Sequence, residues 1–189
     1  MGFSSGLPLL LTLSTMQAWL KDYDVTSTKI GLMALLGTPY TLKFLWAPIF
    51  DRFTISKLGR RKGWLLIIQI CLAGVIMSIG QVNPAQNLTV FSIFALLITF
   101  FSASQDIVID AYRREDLQDE ELGLGSSLAV NGYRVGMLVA GGGALFMGDY
   151  MEWSMVYFIM GLCMLIGIIT TIFTPCLLYT SDAADDRVS

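Results

Sequence analysis

Six apolar stretches, each near the roughly 20 residues that an α-helix needs to cross a bilayer, follow one another with only short connectors between them. They lie at about 2–20, 30–50, 64–80, 88–111, 125–147 and 153–174. In lipid every backbone N–H and C=O must be satisfied internally, so runs of this length and composition form helices. The connectors at 21–29, 51–63, 81–87, 112–124 and 148–152 fit antiparallel neighbours in a bundle. Of the 189 residues, 54% are hydrophobic and 14% charged, whereas a soluble domain is roughly 25% charged. The expected class is an all-α membrane protein built as a six-transmembrane-helix bundle.

The chain contains no histidine. A metal site built on imidazole and His general acid/base chemistry are therefore excluded, and proton handling falls to Asp, Glu, Lys, Tyr or Cys. Cys71, Cys163 and Cys176 do not form a disulfide framework. Cys71 and Cys163 lie in apolar runs and read as small core- or lipid-facing residues. We expect no metal, no cofactor, no catalytic residue and no nucleic-acid partner.

Orientation follows from Lys and Arg. Connectors 51–63 and 112–124 carry Arg52, Lys57, Arg60, Arg61, Lys62, Arg113 and Arg114, against Lys21 and Lys29 on the other side. This places the basic connectors, the N-terminus and the end of the sixth run in the cytoplasm. The first run has no basic lead and no cleavage site, so it is not a signal peptide, and it looks shortened before Met1. Residues 1–175 are expected to form the transmembrane unit. The stretch from Cys176 to Asp186 resembles the translation of a transposon adapter, with a natural acidic linker as the alternative. On the adapter reading, 176–189 is not native and the natural chain continues past Pro175.

Charge inside the apolar runs is costly and marks functional candidates. Asp106 and Asp110 stand four residues apart at the end of the fourth run and share a helix face. Counted at 1.5 Å per residue, Lys43 lies about 12 Å, Arg134 about 14 Å and Asp106 about 9 Å from the cytoplasmic ends of their runs. Groups at similar depth can pair across helices. One reading is a charged cavity in which Arg134 and Lys43 hold substrate carboxylates while Asp106 or Asp110 titrates. The other is a fixed ion pair between runs four and five, with Lys43 snorkelling to the interface. Asp110, near the membrane edge, reads as a structural partner as readily as a pathway residue. Gln105 neighbours Asp106, and Gln17 is placed to line a sugar- or peptide-binding cavity. A carboxylate's proton affinity depends on its burial and on nearby cations. A change that moves Arg134 relative to Asp106 would therefore load and release a proton.

Other residues read as packing or anchoring groups. Gly132 and Gly136 form a small-xxx-small face suited to close helix contact. Pro8, in Gly2-Phe-Ser-Ser-Gly6-Leu-Pro8, removes a backbone donor within the first run. Trp19, Trp64 and Trp153 fall near run ends and are expected in the interfacial belt, as is Trp46.

Asp51-Arg52 followed by Gly59-Arg60-Arg61-Lys62-Gly63 resembles the cytoplasmic 2–3 loop signature of the major facilitator superfamily. Ala47 replaces its first Gly, and there are extra residues before Gly59. The resemblance implies that Asp51, Arg52, Gly59, Arg60 and Arg61 form a conformational latch; a basic topogenic loop at anionic lipid is the alternative. The first-run motif, Gln17-Ala-Trp19, Lys43-Phe-Leu-Trp-Ala-Pro48, Ser102-Ala-Ser-Gln-Asp-Ile107 and Gly132-Tyr-Arg-Val-Gly-Met137 together resemble the AmpG-type muropeptide permeases. That resemblance covers residues 2–175, and the acetyl-CoA transporter family shares part of it. It implies the N-terminal half of a facilitator-superfamily fold, missing a C-terminal six-helix half. It also implies proton-driven uptake of anhydromuropeptides through the bacterial inner membrane for cell-wall recycling, with membrane lipid, protons and a muropeptide-like small molecule as partners. A carrier of acetyl-CoA or another anionic metabolite is the first alternative and a membrane-embedded enzyme the second. Against the enzyme, Asp106 and Asp110 share one helix and cannot flank a scissile bond.

Overall fold

The computed structural model describes residues 1–53, 60–116 and 122–173, and every regular element among them is helical. Helix α1 (Gly2–Leu10) passes through a π turn (Leu11–Thr15) into α2 (Met16–Asp22). Next come α3 (Ser27–Met33), α4 (Thr38–Leu42) and α5 (Ala47–Arg52), separated by 3₁₀ turns at Ala34–Gly37 and Lys43–Leu45. Helices α6 (Arg60–Ile79) and α7 (Leu88–Asp116) are unbroken. Helix α8 (Leu122–Leu138) passes through a π turn (Val139–Gly143) into α9 (Ala144–Gly148), and α10 (Trp153–Phe173) follows.

Among the described residues, three helices are long and apolar enough to cross a membrane: Arg61–Ile79, Leu88–Glu115 and Trp153–Phe173. The second apolar run is not the single helix its hydropathy suggests. Pro39 and Pro48 each stand at the start of a helical piece, just after a 3₁₀ turn. A proline cannot donate to the preceding turn and disfavours α geometry in the residue before it, so the run is cut into three pieces. Helix α7, by contrast, outruns its apolar stretch and carries Arg113, Arg114 and Glu115 as continuous helix. Basic residues suit its C-terminal turn because they face the negative end of the helix dipole.

Helices α1 and α8 approach closely through glycines. The Cβ-less face of Gly2 lies against the Ala129 carbonyl, and that of Gly6 against the Tyr133 carbonyl; Gly136 in turn abuts the Phe3 carbonyl. Two small-xxx-small faces thus meet, which lets backbones approach with no side chain between them. The contacts advance in the same sense along both helices, so α1 and α8 run parallel. The two π turns meet further along, where Thr15 Oγ1 donates to the Ala140 carbonyl at 2.6 Å and Tyr157 donates to the Leu11 carbonyl at 3.0 Å. A π turn widens the backbone ladder, and here side chains from neighbouring helices meet its carbonyls.

Helix α6 packs along both α7 and α10. The main core contains Leu7, Leu11, Leu72, Ile76, Phe91, Ile98 and Met160. Trp19 is 2% exposed and lies inside this core, not in an interfacial belt. Its ring meets Phe91 at 4.9 Å, Tyr157 at 4.7 Å and Trp153 at 6.2 Å. Trp153 is buried as well, and its Nε1 donates to Asp22 at 2.9 Å. Both were expected at the interface from their place near run ends. Aromatic neighbours from α7 and α10 instead cover Trp19, and Trp153 stacks on Trp19.

The glycine contact predicts opposite signs for two Gly→Ala substitutions. At Gly6 a Cβ would meet backbone atoms of Tyr133, its carbonyl carbon at 2.8 Å, so Gly6→Ala should destabilise by about 1–3 kcal/mol through overpacking. At Gly74 a Cβ meets nothing within 4 Å, so Gly74→Ala should be neutral or stabilise by up to ~1 kcal/mol through helix propensity. Thermal unfolding in detergent measures both.

Candidate functional site

Residues 2 and 6 of α1 face α8, which turns the intervening Ser5 toward α7. Its hydroxyl donates to Asp106 Oδ1 at 2.7 Å. The second run reaches the same place from the other side. Trp46 Nε1 donates to Ser104 Oγ at 3.1 Å, and the Trp46 ring lies 5.1 Å from that of Phe100. These contacts tie the 3₁₀ turn that carries Lys43 to α7. Tyr133, beside Gly132 on α8, supplies the remaining wall.

The result is a cavity of about 210 Å³ lined by Ser5, Lys43, Asp106, Asp110, Arg113 and Tyr133 together with apolar neighbours. It holds two cations, two carboxylates and two hydroxyls, enough to grip a small molecule that carries both charge signs and polar groups. Deeper in the bundle, the buried Tyr40 phenol approaches Ser102 and Thr12, without an aligned hydrogen bond.

The structure gathers some of the sequence candidates and disperses others. Asp106, Lys43 and Asp110 share the cavity. Arg134 does not join them: it is exposed and lines a separate hollow with Ser126, Ser127 and Asn131. One residue along a helix is a turn of about 100°, and the glycine register gives the cavity to Tyr133. Asp110 is exposed and pairs with Arg113 on its own helix at 2.9 Å. Gln17 is exposed on α2. Gln105 is fully buried, and its amide has no hydrogen-bond partner among the described residues.

Of the expected latch, Gly59 and the side chains of Asp51 and Arg60 lie outside the described residues, and Arg52 is exposed. Arg61 is 8% exposed and grips Glu115, with Nη2 at 2.7 Å and Nε at 3.0 Å from Oε1. This joins the start of α6 to the end of α7. Glu115 falls in connector 112–124, where hydropathy gives it no partner. Its role appears once α7 continues past the apolar run. Ser5 and Tyr133 also escaped notice, because a hydroxyl in an apolar run gives no signal until a carboxylate is seen facing it.

Comparison with known proteins gives a consistent picture. A family model described as Acetyl-coenzyme A transporter 1 matches residues 1–93. An uncharacterised Haemophilus influenzae protein is 45% identical over 172 residues, 91% of this chain and 40% of that protein. The anhydromuropeptide permease of Escherichia coli K12 is 44% identical over 176 residues, 93% of this chain and 36% of the permease. A Rickettsia bellii protein named putative transporter AmpG 1 is 35% identical over 175 residues, 90% of this chain and 43% of its own length. The chain thus spans well under half the length of these curated relatives.

The Arg61–Glu115 contact yields a direct prediction. Arg61→Gln and Glu115→Gln should each destabilise the protein, and the double variant should lose less than their sum. The coupling energy should be about 0.5–1.5 kcal/mol, as for a charge-assisted pair whose guanidinium is buried and whose carboxylate is partly open to water. Thermal or denaturant unfolding of the four proteins in detergent checks it.

Proposed function

Because the chain is related over at least nine-tenths of its length to an anhydromuropeptide permease and a protein named putative transporter AmpG 1, we propose that it is the N-terminal six-helix half of a facilitator-superfamily carrier. Its cargo on this reading is an anhydromuropeptide, taken up across the bacterial inner membrane with protons and returned to cell-wall synthesis. The N-terminus and the basic 51–63 and 112–124 segments face the cytoplasm. The interrupted helical stretches at 2–22, 27–52 and 122–148 complete the six spans alongside α6, α7 and α10. The second half follows in the natural reading frame.

The observation that carries the reading is the Asp106 cavity. A carboxylate held by Ser5, with Lys43 and Tyr133 around it, sits within a bundle whose long helices are apolar enough to span lipid. Such a group marks a transport pathway more often than a structural role. The cavity also suits the cargo: a muropeptide carries carboxylates for Lys43, amino groups for Asp106 and sugar hydroxyls for Ser5 and Tyr133. Asp106 is the proton-carrying group. Arg134, outside the cavity in this arrangement, is a cargo ligand contributed toward the second half, with exposed Gln17 in a supporting role there and buried Gln105 supporting Asp106 from within α7. The Asp51–Arg61 segment latches the cytoplasmic side. The match of residues 1–93 to the acetyl-CoA transporter model favours one second reading, a carrier of another anionic metabolite through the same cavity.

Uptake of labelled anhydromuropeptide into vesicles carrying the uninterrupted protein, driven by an imposed pH gradient, tests the proposal. Asp106→Asn should reduce uptake at least tenfold while leaving membrane insertion unchanged. Uptake at the wild-type rate in that variant would refute the role of Asp106, and no uptake by the unaltered protein would refute the cargo.

A further inference from the structure

A second hollow, of about 490 Å³, lies where α7 leaves the apolar region. Lys43, Asp110 and Arg113 line both this hollow and the Asp106 cavity. The two spaces are therefore neighbours separated by that trio. Beyond the partition the walls are Arg61, Arg114 and Glu115, with Ala111 between them.

The charge balance of the second hollow is specific. Its carboxylates are both engaged, Asp110 by Arg113 at 2.9 Å and Glu115 by Arg61 at 2.7 Å. Those pairs largely cancel. Lys43 and Arg114 remain outside those pairs; Lys43 also faces Asp106 across the neighbouring cavity, without a direct ion-pair contact. Arg114 follows Asp110 by four residues and so shares its helix face, and Lys43 approaches from the second run. Within the hollow's own lining, two cations beyond the two ion pairs therefore flank a space large enough for a small anionic group. A guanidinium and an ammonium suit the oxygens of a carboxylate or phosphate.

We propose that this hollow is an anion station on the cytoplasmic route from the Asp106 cavity, with Lys43 and Arg114 as its ligands and the Asp110–Arg113 pair as the partition. Cargo passes from the cavity by transferring a carboxylate or phosphate from Lys43, which serves both spaces, to Arg114. Sequence reading had assigned Arg114 only to topology. The inference rests on the carrier reading for its direction, but the station itself is testable without transport.

The test places a thiol in the hollow as Ala111→Cys, in the uninterrupted protein with Cys71, Cys163 and every cysteine of the second half changed to Ser. Rates of modification by the anionic 2-sulfonatoethyl and the cationic 2-(trimethylammonio)ethyl methanethiosulfonates are measured in detergent, each divided by its rate with a free thiol. The anionic-to-cationic ratio should exceed 1. Arg114→Gln and Lys43→Gln should each lower it by roughly thirtyfold, because one unit charge about 4 Å away in water changes each rate about fivefold and in opposite senses for the two reagents. Dissolved citrate should slow modification, and less so in either variant. A ratio at or below 1, or one indifferent to both substitutions, overturns the station. Protection by phosphatidylglycerol in nanodiscs but not by citrate overturns it too, because the hollow then serves a lipid headgroup. Failure of the carrier reading shows separately, as absent uptake by the unaltered protein with the thiol ratios intact.

Discussion

The approach of α1 to α8 through facing glycines is the contact on which the rest depends. Lipid offers no hydrophobic drive for helix association, so packing distance and polar contacts must supply it. With Gly2 and Gly6 against the carbonyls of Ala129 and Tyr133, and Gly136 against that of Phe3, the register of the two helices is set to the residue. That register turns Ser5 to Asp106, gives Tyr133 to the cavity and leaves Arg134 outside it. A shift by one position would exchange Tyr133 for Arg134 and change the chemistry of the site.

The same close contact has a cost further along, where both backbones open into π turns. The buried carbonyls of Leu11 and Ala140 in those turns are met by Tyr157 and Thr15. Thr171 similarly donates to Gln69 between α10 and α6. Polar residues spread through apolar runs thus act as ties between helices. Asp106 differs from them, because its surroundings open into a cavity and not into a closed pair.

Much of this was legible in the sequence. Long apolar runs require helices in lipid, and α6, α7 and α10 fall where hydropathy puts them. Gly132 and Gly136 declared a packing face, and Asp106 with Lys43 declared a polar site. What was not legible depends on facts a single run does not contain. Which way Arg134 turns follows from helix register. Burial of Trp19 and Trp153 follows from aromatic partners on other helices. The division of the second run follows from Pro39 and Pro48, whose breaking effect is hidden by continuous hydropathy. Glu115 gained a partner only because α7 continues beyond its apolar stretch.

If the cavity is the place where cargo and proton meet, Asp106 must be both reachable and covered by cargo. Carbodiimides modify protonated carboxyls in apolar surroundings. The decisive measurement is the extent of dicyclohexylcarbodiimide labelling at Asp106, read by mass spectrometry on the uninterrupted protein with and without anhydromuropeptide. The account predicts labelling of Asp106 that saturating cargo suppresses. Labelling that is absent from Asp106, or that cargo leaves unchanged, would contradict it.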